Sequence, residues 1–374
     1  MPERYVLRQY QALPLHAKVH MSQARIREWY DHWEGDVFIS FSGGKDSTVL
    51  AHLVHEFYPN VPMVFSNTGL EYPEVRQFAE RMGAEVIYPD MMFPDVLRTY
   101  GYPIISKEVS EAISVARRIR NGKTEWKQKA GSKTPWIESK RREMLGLEDL
   151  RKAYNKKKWL QLCQETEFQI SNMCCFEMKK YPFAAFKKKR KVQAIVGTLA
   201  EESKLREQAW IRGGCNVFEG RHKSSQPMSF WTEQDVLRYI VENGLEIASV
   251  YGDIVCVDSD GMEHAPMPGV ECELKCTGCD RTGCIFCGFG AHLKAGGDRF
   301  QRLAKTHPKQ YEYCMGGGQW IDNPTYDETA PVYDGEWKNW NPKKIWVPSK
   351  EGLGMKKVFD DCNAIYGKDF IKYE

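Results

Sequence analysis

Residues 36–47 read Asp36-Val37-Phe38-Ile39-Ser40-Phe41-Ser42-Gly43-Gly44-Lys45-Asp46-Ser47. The apolar run Val37–Phe41 has the length and character of a buried strand, and Ser47 to Phe57 (STVLAHLVHEF) has helical periodicity. A glycine-rich loop between a strand and a helix is built for an anion. Gly43 and Gly44 permit a tight turn and a close backbone approach. The free N–H groups of the following helix, and its dipole, then point at the bound charge. Lys45 adds a positive point charge, and Ser42 and Ser47 offer hydroxyls. Asp46 is expected to cap the helix or to hold Mg2+ beside phosphates. The GxxxxGK[ST] spacing of a Walker loop is absent.

Outward from this loop the chain keeps an α/β rhythm. Residues 21–33 place Ile26, Trp29, Tyr30 and Trp33 on one helical face. Further strands are expected at 62–66, 85–88 and 192–197, with helices at 73–82 and from about 200. Short strands separated by helices predict a doubly wound parallel sheet with right-handed crossovers. The expected organisation is a nucleotide-binding α/β domain over residues 1–250, with a basic helical insertion at about 110–160. A Cys-rich, metal-binding module is expected over 251–374.

Apolar residues make up 42% of the 374, enough to bury a full core. With 53 basic and 50 acidic side chains the net charge is +3, which excludes nucleic-acid binding by bulk charge alone. No apolar run approaches the roughly 20 residues of a spanning helix, so a cytoplasmic protein without a membrane partner is expected. The small net charge hides an asymmetry. Residues 117–158 carry fifteen Lys or Arg against five Asp or Glu, interleaved with Trp126, Trp136 and Tyr154. Lys187-Lys188-Lys189-Arg190-Lys191 forms a second basic run. Such runs are either solvated faces or a surface for RNA or DNA, where cations neutralise phosphates and aromatics stack on bases.

Twelve cysteines stand out, and they cluster. A secreted disulfide framework does not suit a chain of this length. Cys163, Cys215, Cys256 and Cys362 read as small buried hydrophobes. Cys276-x-x-Cys279 and Cys284-x-x-Cys287 form two pairs, each able to turn two thiolates onto one metal, and together they suit a Zn2+ knuckle. Cys276 and Cys279, with Cys272, are alternatively ligands of a second metal or carriers of a persulfide. Cys314, before Gly316-Gly317-Gly318, is a candidate transfer thiol. His292 reads as a surface residue.

The SGGKDS loop after a strand resembles the PP-loop of the ATP pyrophosphatase superfamily. Ser66-Asn67-Thr68-Gly69 with Glu71-Tyr72-Pro73-Glu74, and Gly197-Thr198 with Glu201-Glu202-Ser203 and Arg206, resemble segments of the phosphoadenosine phosphosulfate (PAPS) reductase branch. Trp231-Thr232-Glu233-Gln234-Asp235-Val236 resembles its "WTEEDV" helix start, with Thr232 as N-cap. The resemblance covers residues 36 to about 290 and implies an adenine-nucleotide site on Ser42–Ser47, Asn67, Thr68, Gly69, Gly197 and Arg206. Cys174-Cys175 with the distant Cys284-x-x-Cys287 is similar to the four-cysteine [4Fe–4S] site of adenylylsulfate reductases, which makes these four the preferred cluster ligands. Two features depart from sulfonucleotide reductases: the loop is intact, and the C-terminus DDCNAIYGKDFIKYE lacks their Glu-Cys-Gly-His-like tail.

These features imply an ATP-dependent sulfur transfer in which Lys45 and Asp46 serve pyrophosphate release, with Cys314 as a transfer thiol. The acceptor would be RNA or DNA, and the sulfur donor a cysteine desulfurase or a thioredoxin-like protein. Reduction of PAPS or adenylylsulfate to sulfite is the alternative reaction. A nucleotide-binding, redox-sensing regulator that binds nucleic acid without turnover is the alternative outside enzymology.

Overall fold

The computed structural model describes residues 4–120, 159–220, 223–258, 260–267, 272–293, 298–329 and 340–374. Most of the basic insertion, with Trp126, Trp136 and Tyr154, lies outside the described residues. The chain forms two compact units, one of Met1–Pro89 and Lys179–Cys284, the other of Asp90–Met178 and Ile285–Glu374.

In the first unit a long helix, α1 (Leu15–His32), precedes strand β1 (Val37–Phe41) and helix α2 (Lys45–His55). Strand β2 (Met63–Ser66), helix α3 (Pro73–Arg81) and strand β3 (Glu85–Ile87) follow. The chain returns with α4 (Tyr181–Arg190), β4 (Gln193–Val196), α5 (Lys204–Gly213), β5 (Asn216–Val217), β6 (Ser224–Ser225) and α6 (Glu233–Glu242). The sheet order is β3-β2-β1-β4-β6-β5. All pairings are parallel except that of β5 with β6. Strand β1 is therefore the point where the order reverses, with Ile39 opposite Met63 on one side and Ile195 on the other. In open α/β sheets the crevice at such a reversal is where ligands bind.

The sequence explains these elements simply. Phe38, Val64, Ala194 and Phe186 pack as one buried cluster across three strands and α4. Val49, Leu50 and Leu53 of α2 and Ile26 and Trp29 of α1 are fully buried as well. The expected N-cap Thr232 closes a capping box: its Oγ1 accepts the Asp235 N–H at 3.2 Å, and Asp235 Oδ2 accepts the Thr232 N–H at 2.7 Å. The same carboxylate accepts a bond from the fully buried Lys18 ammonium at 2.6 Å, fastening α1 to α6.

An antiparallel sheet of β7 (Ile254–Val257), β8 (Glu263–His264) and β9 (Glu273–Cys276) completes this unit, in the order β9-β7-β8. The expected boundary at residue 250 does not match this grouping. The Gln234 side chain of α6 donates to Leu274 O at 2.8 Å and accepts from Leu274 N at 2.9 Å, so it pairs with β9 like another strand. The first cysteine-rich segment is thereby part of the unit that holds the Ser42–Ser47 loop. Cys256, expected as an isolated buried hydrophobe, is bonded to Cys272 in a disulfide across β7 and the start of β9. Cys272 is thus not a free metal ligand.

The second unit holds helices at Phe93–Tyr100, Lys107–Arg120, Arg299–Thr306, Pro308–Met315 and Met355–Tyr366. Ile104–Ile105 pairs with Gly288–Phe289, and Gln319–Asp322 with Lys344–Val347. Arg117, at the start of the basic stretch, is not a solvated charge. It is buried and donates to Cys163 O, Phe168 O and Thr166 Oγ1 at 3.0, 2.7 and 2.6 Å. Among the described residues no helix is long and apolar enough to cross a membrane.

Candidate functional site

A cleft of about 390 Å3 opens in the first unit at the carboxyl end of β1. The loop Ser42–Ser47 forms its floor, and Gly197, Thr198, Glu202 and Arg206 face it from the β4 side. Two glycines make the floor possible. Gly43 adopts φ +68°, and a Cβ there would lie 2.8 Å from the Val75 carbonyl oxygen. Gly197 ends β4 against the loop so closely that a Cβ would sit 2.9 Å from Asp46 O.

The loop is held by its own side chains. Ser42 and Ser47 hydroxyls lie 3.0 Å apart, and Ser47 and Thr48 both donate to Gly44 O, at 2.9 and 3.0 Å. Gly44 is the N-cap of α2 and no side chain caps that end. Asp46 therefore does not cap the helix. Its carboxyl faces the cleft, where burial, reinforced by Glu202 and Glu233, pushes its pKa up to about 6 against the opposition of Lys45 and Arg281.

Lys45 is 6% exposed, and its ammonium has three neighbours. Glu233 Oε1 accepts from it at 2.9 Å, Cys276 Sγ lies at 3.7 Å, and the Tyr251 ring centre at 5.3 Å. Tyr251 is itself fixed by Thr282 at 2.6 Å, and burial pushes its phenol up to about 12, so it stays neutral. A ligand anion competes with Glu233 for Lys45. Glu233→Gln is therefore expected to tighten binding of inorganic pyrophosphate in the absence of metal by about three- to tenfold, the scale of a partly exposed ion pair. Isothermal titration at fixed ionic strength measures it, and weaker binding would show that Glu233 helps rather than competes.

Ser66 and Glu71, rather than the expected Asn67, Thr68 and Gly69, line the cleft from the β2 side. Thr68 is buried, and both its N–H and its hydroxyl donate to Glu71. Asn67 turns back to accept the Gly69 N–H at 3.1 Å. These residues position Glu71, which pairs with Lys179 at 3.3 Å. For Lys179 desolvation works against the charge, but Cys284 and Glu71 outweigh it and hold the pKa above the ordinary lysine range. Arg206 lines the cleft, where it is ion-paired with Glu202.

The cysteines divide by environment. Cys284 bears on Lys179 in the first unit. In the second unit Cys287 is a thiol raised by burial, opposed by the Phe289 N–H and Arg299, with Cys175 close enough to raise it further. Cys174 is buried. Within the second unit Cys175 and Cys287 are thiols of the kind that bind iron–sulfur clusters, with Arg299 beside Cys287. Among the described residues no group of three or more His, Cys, Asp or Glu is gathered to hold a metal ion. Cys276 is engaged by Lys45, and Cys279 is buried in a turn whose N–H donates to Val250 O at 2.9 Å. Cys314 is fully buried in the helix Pro308–Met315, and burial alone pushes its thiol far up. That environment does not suit a transfer thiol, which must become a thiolate and meet its partner. His292 is half-buried rather than fully solvated; it stacks on Phe370 with centroids 5.3 Å apart.

Tyr251, Thr282 and Arg281 are not legible as site residues, because they reach the cleft from segments far from the loop in sequence. Lys179 is legible from its place after Cys174-Cys175 as a cation beside thiolates, and it does interact with Cys284, but its place in the cleft is not legible. The only local signal was the Cys-Asp-Arg-Thr-Gly-Cys stretch at 279–284, whose cysteines drew attention away from the polar residues between them.

The phosphoadenosine phosphosulfate reductase domain matches residues 36–92 and 117–288, more than half of the chain. The chain belongs to this family. A phosphoadenosine 5′-phosphosulfate reductase of Vibrio campbellii is 29% identical over 65 residues, 17% of this chain and 25% of that protein. The match thus spans about a quarter of that relative's length. A PAPS reductase from Candida auris, solved with phosphate, is 12% identical with a TM-score of 0.34, over 64% of this chain and 91% of that one. The U34-tRNA thiolase NcsA from Methanococcus maripaludis, solved with its [4Fe-4S] cluster, is 14% identical with a TM-score of 0.31, over 80% and 77%.

Proposed function

We propose that this family member is an ATP-using sulfurtransferase that adenylates its acceptor and releases pyrophosphate. The observation that carries the reading is the intact Ser42–Ser47 loop at the sheet reversal, with the Lys45 ammonium and the Asp46 carboxyl beside one cleft. The β- and γ-phosphates lie on the loop N–H groups and the start of α2, where Lys45 exchanges Glu233 for phosphate oxygens. An acceptor oxygen forms a bond to the α-phosphorus as the bond to pyrophosphate breaks. Lys45 and Arg206 offset the charge that grows on the leaving oxygens. A sulfur nucleophile then forms the C–S bond and expels AMP. Mg2+, held by Asp46, would neutralise further phosphate charge. An iron–sulfur cluster on Cys174, Cys175, Cys284 and Cys287 would supply or hold reactive sulfur. Zn2+ is the alternative metal. Cysteine desulfurase or a thioredoxin-like protein would be the donor.

Family membership favours a second reading, reduction of PAPS or adenylylsulfate to sulfite by a thiol donor. One experiment separates them. Anaerobically purified protein is incubated either with ATP, Mg2+ and an acceptor panel, or with PAPS and reduced thioredoxin. Acceptor-dependent pyrophosphate is the expected result. Sulfite formation without pyrophosphate would replace the first reading with the second.

A further inference from the structure

We infer that Arg281 selects the ligand of the cleft by its terminal phosphates, favouring a nucleoside triphosphate over nucleotides whose 5′ chain holds a lone phosphate. The inference rests on the ATP-using reading for its place in the reaction, and deepens it by naming what chooses the triphosphate.

The cations of the cleft are not equally available. Among the described residues Lys45, Lys179, Arg206 and Arg281 line it. Lys45 is paired with Glu233 at 2.9 Å, Lys179 with Glu71 at 3.3 Å, and Arg206 with Glu202. Arg281 is exposed, and among the described residues it forms no ion pair or hydrogen bond. Its chain neighbour Asp280 bears on the Cys276 thiol. An incoming phosphate must displace a carboxylate to use the other three cations, whereas Arg281 gives up only water. Its planar fork also suits two phosphate oxygens at once.

The turn that carries Arg281 is fastened on both sides to the segment of Tyr251. Gly278 N–H donates to Tyr251 O at 2.9 Å, and Cys279 N–H to Val250 O at 2.9 Å. Beyond Arg281, the Thr282 and Tyr251 hydroxyls lie 2.6 Å apart. Only Asp280 and Arg281 separate these anchors. The backbone under the guanidinium is thus set before a ligand arrives, which lowers the cost of ordering it.

This turn stands over the glycine-rich loop. A Cβ placed on Gly44 would lie 3.2 Å from the Tyr251 hydroxyl and 3.8 Å from that of Thr282. Gly44 immediately precedes α2, whose free N–H groups point at a bound anion. The Arg281 charge reaches Asp46 in the first turn of α2, where it acts together with Lys45. It also reaches Glu201, which accepts the Glu233 N–H. Arg281 therefore serves the end of the cleft that holds Lys45 and the start of α2, where the proposed reaction seats the β- and γ-phosphates. ATP brings two phosphates to that end, adenylylsulfate only a monoanionic sulfate, and AMP nothing. The uncommitted cation adds most to the first of these.

Equilibrium binding to the full chain tests this without turnover. ATP, adenylylsulfate and AMP are titrated calorimetrically with Mg2+ at fixed ionic strength, the weaker ligands by competition, against wild type, Arg281→Gln and Arg281→Lys. Arg281→Gln should weaken ATP about ten- to thirtyfold, the scale of a charge-assisted contact, and adenylylsulfate by about threefold or less, with AMP unchanged. Arg281→Lys keeps the charge without the fork and should recover part of the ATP affinity. Circular dichroism confirms that each variant is folded. A wild type that binds ATP no more tightly than AMP, an Arg281→Gln protein with undiminished ATP affinity, or equal weakening of all three ligands would overturn the inference. Arg281-dependent selection of ATP with no pyrophosphate released to any acceptor would uphold it while removing the proposed reaction.

Discussion

Lys45→Ala is expected to lower pyrophosphate release by about two to three orders of magnitude, with a smaller change in the KM for ATP. The size follows from removing a preorganised charge that acts where negative charge develops, roughly 3–4 kcal/mol of transition-state stabilisation. The position is demanding because the side chain is 6% exposed and enclosed by Glu233, Tyr251 and Cys276. Lys45→Arg should recover little, since a planar fork replaces a compact ammonium in that space. A coupled pyrophosphate assay on folded variants decides the matter, and a loss under fivefold for alanine would remove Lys45 from the chemistry.

Asp46→Asn should make the ligand-free protein more stable at pH 8, by about 1–3 kcal/mol, while abolishing turnover with ATP and Mg2+. The folded protein holds the Asp46 carboxyl near pKa 6, against 3.8 ordinarily, chiefly through burial. A raised carboxyl binds its proton more tightly folded than unfolded, so its stabilising contribution is full below about pH 4 and is lost as pH rises through 6. Above that, the folded state carries a poorly solvated charge, which asparagine removes. The gain in the variant should therefore shrink between pH 8 and pH 5. Urea unfolding at both values measures it, and an Asp46→Asn protein that is less stable at pH 8 would show the carboxylate to be structurally required.

The strands and the glycine-rich loop were legible because their information is local. Val37–Phe41 is apolar on both faces, as a central parallel strand must be, and Ser42–Ser47 has the residues an anion loop needs. Thr232 and Asp235 are likewise a short-range pair. What escaped was encoded across distance. Spacing made Cys272 a metal candidate, but strand pairing brought it to Cys256. A basic context made Arg117 a surface charge, but four oxygens hold it in the interior. Cys314 was singled out by its neighbouring glycines, and nothing in a turn motif records full burial. Conversely, Lys45 was identified alone, whereas its partners Glu233, Tyr251 and Cys276 lie some two hundred residues away.

That separation has a bearing on synthesis. The first unit is discontinuous: its chain breaks off at Pro89 and resumes at Lys179. As the polypeptide emerges from the ribosome, β1 and β2 can pair early, yet β1 keeps one open edge until Gln193–Val196 appears. The glycine-rich loop waits longer still, since Tyr251 arrives when about two thirds of the chain has been made and Cys276 and Thr282 when about three quarters has. Nascent or truncated chains would thus expose an unpaired central strand with a half-built loop, so the span between Pro89 and Lys179 sets how long that vulnerable stage lasts.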